Sequence, residues 1–275
     1  MRHVTNPKLG IEMNSEEKAI HVIPIAILKD NYVWIIINKD QQQAIVVDPG
    51  EAEATINYLD KMHLMLSAIF ITHHHGDHTN GLKKLVQYAN VPVFCSPLSP
   101  LVINKQPIHD HYPITVNNSF PPFYPLTIPG HTLDHIAYYG QRMLFCGDTL
   151  FAGGCGRAFE GTTDQLYTSL QRLAQLPSET LIYCGHEYTL ANLQFATHVA
   201  PHNAALLKRL EYIKKLREKQ QVTLPTSLEE EKQTNIFLRC DSNEIILAAE
   251  QYAGCKLTSA QEVFAVLRQW KNELS

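Results

Sequence analysis

Long apolar runs are missing from this 275-residue chain. No stretch approaches the roughly 20 residues that cross a bilayer as a helix, so no membrane contact is expected. Positive charge is not in excess either. Lys and Arg number 23 against 27 Asp and Glu, a formal charge of -4, which argues against a nucleic-acid partner. The six cysteines contain no CxxC and no dense framework, so neither a disulfide scaffold nor a cysteine-built zinc clip is expected. A GxSxG elbow is absent, which weakens a serine-hydrolase reading. The opening "MRHVTNPKLGIEMNSEEKAI" lacks the continuous apolar segment of a secretion signal. With the six thiols read as reduced, this gives the expectation of a cytoplasmic protein, with residues 1–19 as a polar N-terminal arm.

What is present is globular: 45% hydrophobic and 18% charged residues. "HVIPIAI", "NYVWIII" and "QAIVVD" are β-branched and aromatic, and read as successive strands. "EAEATINYLDKMH" has apolar residues at helical spacing, and "LSAIFIT" is the next strand, so a strand–helix–strand crossover is expected. "NGLKKLVQYA" reads as a short helix and "VPVFCS" as a strand. The proline-rich "DHYPITVNNSFPPFYPLTIPG" reads as short strands and loops. "HIAYYG" and "RMLFCGD" form a hairpin pair, and "TTDQLYTSLQRLAQL" a helix capped by Thr162 or Thr163. After about residue 187 the texture changes. "ALLKRLEYIKKLREKQ" is amphipathic, with Leu206, Leu210, Ile213 and Leu216 on one stripe. "SAQEVFAVLRQWKNEL" is a closing helix, and "VTLPTSLEEEKQTNIFLRC" between them reads as a linker of loops. The expected organisation is therefore an α/β catalytic domain over 20–187 and a helical domain over 188–275.

The strongest local signal is "FITHHHGDHTNG", Phe70 to Gly81, where four histidines and an aspartate follow an apolar strand. His73 and His75 are two apart and can face one way. His78 lies three further on, with Asp77 beside it and Gly76 freeing the backbone. These donors suffice for two metals: His73 and His75 on one, Asp77 and His78 on the other. Imidazole and carboxylate donors suit zinc, iron or manganese. Further donors follow strands or glycines elsewhere: His131 and His135 in "IPGHTLDH", Asp148 in "LFCGDTLF", His186 in "LIYCGHEY". Asp148 has two oxygens, one for each ion. His74 should point away, and His3, His21, His63, His109, His111, His198 and His202 read as ordinary polar residues.

"THHHGDH" resembles the HxHxDH signature of the metallo-β-lactamase superfamily. "GHT", "GDTLF" and "CGHEYT" narrow the resemblance to glyoxalase II, the hydroxyacylglutathione hydrolases, over about His21 to Ser275. The resemblance implies an αββα metallo-β-lactamase sandwich with a C-terminal α-helical domain that binds glutathione. It implies hydrolysis of S-(2-hydroxyacyl)glutathione, chiefly S-D-lactoylglutathione, to glutathione and D-lactate, the second step of methylglyoxal removal. A hydroxide held between two divalent metals, zinc before iron or manganese, would attack the thioester carbonyl. His73, His75 and His131 would hold one metal, and Asp77, His78 and His186 the other, with Asp148 bridging. The catalytic residues would be Asp77, which also fixes the hydroxide, and His135, which hydrogen-bonds. Asp48 in "VVDPG" would orient a ligating imidazole. Arg157, Tyr188, Arg268 and Lys271 would meet glutathione. Arg157 stands where many relatives have lysine, Phe159 where tyrosine is usual, and Asp134 where glycine is frequent. A monomer suffices. The alternative is another binuclear hydrolase of the superfamily, acting on a different thioester or lactone. A metal-stabilised binding module is a weaker rival.

Overall fold

The computed structural model describes residues 4–6, 11–13, 20–106 and 108–274. The polar arm expected over residues 1–19 lies outside the described residues, apart from two short paired strands, Val4–Asn6 and Ile11–Met13. The chain divides into two compact units. One runs through Thr127 and takes in Asp134–Gly147; the other comprises Ile128–Leu133 and the chain from Asp148 onward.

In the first unit, six strands lie in the order Ile20–Ile27, Asn31–Asn38, Gln43–Val47, Met65–Phe70, Val93–Phe94 and Lys105–Gln106. The first three pair antiparallel and the rest parallel, the crossover that strand–helix–strand patterning predicts. Alternation decides the faces. Val33, Ile35 and Ile37 pack with Ala52 and Leu59 of helix Ala52–Lys61 and with Leu82 and Leu85 of helix Leu82–Tyr88. A bulge at Ser67, where pairing jumps from Ala44↔Leu66 to Ile45↔Ala68, keeps both Leu66 and Ile69 on that side.

The opposite face meets a second, antiparallel sheet built from Tyr124–Thr127, Ile136–Gly140 and Met143–Gly147. Phe70 stacks on Tyr138 with centroids 4.4 Å apart and stands edge-on to Phe123 at 5.2 Å. All three rings are fully buried, so Phe70→Ala should cost about 3–5 kcal/mol. Tyr138 Oη lies 2.9 Å from Ile71 O and 2.8 Å from Phe94 O, so its proton ties the sheets where two strands end.

The second unit holds a small hairpin, Leu150–Phe151 with Gly154–Cys155, and a pair formed by Leu181–Cys184 and Thr226–Ser227. Its helices are Thr163–Ala174, Thr189–Val199, Ala204–Glu218, Leu228–Thr234, Asn243–Ala253 and Ala260–Glu273. Thr162 caps the first of these in a reciprocal box with Gln165.

Two expectations are corrected here. The stretch read as a linker of loops contains helix Leu228–Thr234 and the turn Ile236–Leu238, and Asn243–Ala253 follows as a further helix. Ser227 caps the first by accepting from Glu230 N, and three glutamates occupy its first turn, where the helix dipole favours them. Along Ala204–Glu218, Leu216 is only half-buried, whereas Arg209 is buried, because Glu231 pairs its guanidinium at 2.5 Å. No described helix is long and apolar enough to cross a membrane, and the six cysteines form no disulfide.

Candidate metal centre

In the first unit the donors gather where strand Met65–Phe70 ends. The following loop turns into the short helix Gly76–Thr79, which presents Asp77 and His78 one after the other. Asp48 ends the neighbouring strand in a left-handed conformation, φ 51°, which aspartate tolerates better than most residues. Its Oδ1 accepts from Thr72 N at 2.8 Å, and its Oδ2 from Thr72 Oγ1 at 2.7 Å and from His78 Nδ1 at 3.1 Å. Thr72 spends its proton on Asp48, so its oxygen accepts from His73 Nδ1 at 3.0 Å. Both imidazoles therefore carry their proton on Nδ1 and their lone pair on Nε2.

The lone pair of His73 Nε2 lies 3.1 Å from His75 Nδ1, and that of His78 Nε2 lies 3.4 Å from Asp77 Oδ2. Electron-rich atoms converge in this way around a cation. Asn31 Nδ2 donates to Asp77 Oδ2 at 2.8 Å. His135 stacks on His73 at 4.6 Å. Asp48, His73 and His78 also offer three atoms within 4.8 Å of one another. Both Asp48 oxygens already accept hydrogen bonds, however, so it serves as anchor rather than donor. Gly50 is required below this loop, because a Cβ there would lie 1.9 Å from Asp77 O.

In the second unit, His131 Nδ1 donates to Arg157 O at 2.8 Å, which places that ring's lone pair on Nε2. His131 Nε2 lies 3.6 Å from Asp148 Oδ2, and His186 Nε2 3.1 Å from the same oxygen. Two imidazoles thus share one buried carboxylate oxygen. A Cβ on Gly156 would lie 1.9 Å from Asp148 O and 3.3 Å from His131 Nδ1, so only glycine lets the chain pass.

His131 and Asp148 edge a cavity of about 380 Å³, which Arg157, Tyr188, Arg268 and Lys271 also line. Tyr188 stacks on His186 at 4.6 Å and meets Phe151 edge-on. Arg268 is buried. Its Nη1 donates to Cys155 O at 3.0 Å and reaches Gly156 O at 3.4 Å. Lys271 Nζ donates to Asn192 Oδ1. Burial, and then repulsion from Arg268, lower its pKa from 10.5 to about 7.

The metallo-beta-lactamase superfamily profile matches residues 28–186, and that of the hydroxyacylglutathione hydrolase C-terminus matches 187–274. A hydroxyacylglutathione hydrolase of Nitrosomonas eutropha is 48% identical, covering 92% of this chain and 98% of that protein. One of Halorhodospira halophila is 45% identical, covering 90% and 97%. The chain belongs to the hydroxyacylglutathione hydrolase family. Among solved structures, ETHE1 from Myxococcus xanthus is 26% identical with a TM-score of 0.64, covering 91% of each chain. A metallo-beta-lactamase from Staphylococcus aureus, 20% identical, gives 0.60 over 92% of this chain and 72% of that one, and speaks for the fold alone. The fold is the expected metallo-β-lactamase sandwich with a helical C-terminal region.

Of the residues singled out in the sequence, His73, His75, Asp77, His78 and His135 come together in the first unit. His131, Asp148, His186, Arg157, Tyr188, Arg268 and Lys271 come together in the second. Phe159 stands edge-on to His131 at 5.2 Å, largely exposed at the cavity. Asp134 does not face solvent; it is buried and lies 2.9 Å from His74 Nδ1. Sequence reasoning missed Thr72 and Asn192, single polar residues inside apolar patterns, and Glu231, one of a run of three glutamates. Thr72 had one signal: it sits directly between a strand and the first donor histidine.

Proposed function

We propose that this enzyme hydrolyses S-(2-hydroxyacyl)glutathione thioesters, S-D-lactoylglutathione foremost, to glutathione and the hydroxy acid. It is a thiolester hydrolase, and the observation that carries the reading is near-complete, 48% identical coverage of a hydroxyacylglutathione hydrolase by this chain. The metal ligands in this reading are His73, His75 and His131 for one divalent ion, Asp77, His78 and His186 for the other, with Asp148 shared. Support comes from the donor chemistry. The lone pairs at His73, His78 and His131 are fixed by acceptors on the opposite nitrogen, and Asp148 is set against two imidazoles. A donor set of imidazole and carboxylate without thiolate suits zinc first, and admits iron or manganese. When bound, the ions supply Lewis acidity, lowering the pKa of water and polarising the thioester carbonyl.

The chain's own groups do the rest. Asp77, steered by Asn31, orients the attacking water, and His135 packs against His73 to keep that ring in place. The cavity receives glutathione, with Arg157 and Lys271 facing its carboxylates, Tyr188 offering a hydroxyl and Arg268 shaping the wall. Water adds to the carbonyl, the C–S bond breaks, and glutathione leaves as thiolate, a good leaving group that needs no strong acid. In functional terms residues 20–187 do the chemistry and 188–275 hold glutathione. The working unit in this reading is a monomer. The reaction belongs to methylglyoxal removal in the cytoplasm, where glutathione is abundant.

Thiol release decides the matter. Purified protein given S-D-lactoylglutathione should liberate thiol with saturation kinetics and leave lactones and β-lactams essentially untouched. Turnover of a lactone with none of the thioester would overturn the reading.

A further inference from the structure

The helix Leu228–Thr234 carries three successive glutamates. Glu229 and Glu230 are exposed, and Glu231 is fully buried. A buried carboxylate survives only when its lone pairs are satisfied, and the partners of Glu231 are all accounted for. Its Oε1 accepts from Arg209 Nη2 at 2.5 Å and Thr226 Oγ1 at 2.8 Å. Its Oε2 accepts from Gly153 N at 2.8 Å and Asn235 Nδ2 at 2.9 Å.

Gly153 lies in the turn between Leu150–Phe151 and Gly154–Cys155, the hairpin that brings Phe151, Cys155 and Gly156 to the cavity wall. The same turn is held at three of its carbonyls as well. Asn235 Nδ2 reaches Gly154 O at 2.9 Å and Phe151 O at 3.3 Å, and Asn192 Nδ2 donates to Ala152 O at 3.0 Å. Asn192 in turn accepts from Lys271. Beyond the hairpin, the backbone of Arg157 takes the His131 proton.

We propose that Glu231, with Asn235, is a positioning residue for substrate binding: it fixes the 151–156 hairpin and thereby the wall against which the glutathione moiety lies. This rests on the hydrolase reading above, and goes beyond it by placing a determinant of affinity in the protein interior. Arg209 neutralises the carboxylate at Oε1, the oxygen that Gly153 and Asn235 leave to it.

The test is Glu231→Gln, which keeps the volume. Whichever way its amide turns, two donors meet, at Gly153 and Asn235 or at Arg209 and Thr226. Amide hydrogen exchange at residues 153–156 should accelerate in the folded variant. KM for S-D-lactoylglutathione should rise about tenfold with kcat changed less than about threefold, because sub-ångström wall displacement loosens binding before it touches the reacting atoms. Arg209→Lys, a milder change at Oε1, should move both readouts the same way by less, and covers the case where Glu231→Gln fails to fold. Unchanged exchange, or faster exchange with unchanged KM, overturns the proposal. So does an equal loss in kcat and kcat/KM. A wild-type protein that releases no thiol would sink the hydrolase reading instead, while the exchange result still reports on the hairpin.

Discussion

The two donor regions solve one problem with different anchors. Around His73 and His78, the Nδ1 protons end on a buried carboxylate, Asp48, directly for His78 and through Thr72 for His73. Around His131, the proton ends on the main-chain carbonyl of Arg157. Both regions place a glycine beneath a donor: Gly50 under Asp77, Gly156 under Asp148. The shared part is steric and the differing part is electrostatic. A carboxylate acceptor makes an imidazole more basic and can be removed by one side-chain change. A carbonyl acceptor is neutral and survives any substitution of its own side chain. The first region is thus tuned by a residue outside the proposed ligand set. In the second, one residue can hold a ligand with its backbone and meet substrate with its side chain.

The largest effects should ignore the distinction. His75→Ala and Asp148→Ala each remove a proposed ligand, and each should lower kcat/KM by about a thousandfold or more with the fold retained. Full activity with normal metal content in either would break the assignment. The next pair sharpens the comparison. Asp48→Asn should lose about 10–100-fold in metal affinity or activity. Arg157→Ala should keep its metal, because the carbonyl stays, and raise KM alone. If Arg157→Ala emptied the site, or Asp48→Asn left it full, the contrast between the anchors would fail.

The smallest effect is a pH dependence. With a pKa of about 7, Lys271 is charged below neutrality and neutral above it. Affinity of the free enzyme for an anionic tripeptide should therefore fall as pH rises through 7, seen as a descending limb in kcat/KM. Lys271→Arg, charged throughout, should flatten that limb. The linked stability runs the other way: the unfolded chain binds a proton between pH 7 and 10.5 that the folded one does not, so stability from this group increases with pH there.

Much of this was legible in the sequence where local rules coincide with tertiary structure. Strand Asn31–Asn38 is apolar between its terminal asparagines because both faces are covered. Thr162 with Gln165 announces its helix, and the donors from His73 to His78 are contiguous. What stayed illegible were polar residues buried by pairing. Arg209 and Glu231 look solvated in an amphipathic helix and in a run of acids, and only their mutual contact makes burial tolerable. Helix Leu228–Thr234 was hidden by the threonines and proline before it, although Ser227 followed by Glu230 is a start signal. Lys271 and Arg268 were placed at the pocket by resemblance; the burial of Arg268, the partial burial of Lys271 and their mutual repulsion depend on three-dimensional packing that no spacing encodes.

The most direct test is metal content measured alongside turnover. Protein purified without added metal should carry close to two divalent ions per chain; chelation should abolish thiol release from S-D-lactoylglutathione, and zinc or manganese should restore it. Undiminished thiol release from fully metal-depleted protein would contradict the account.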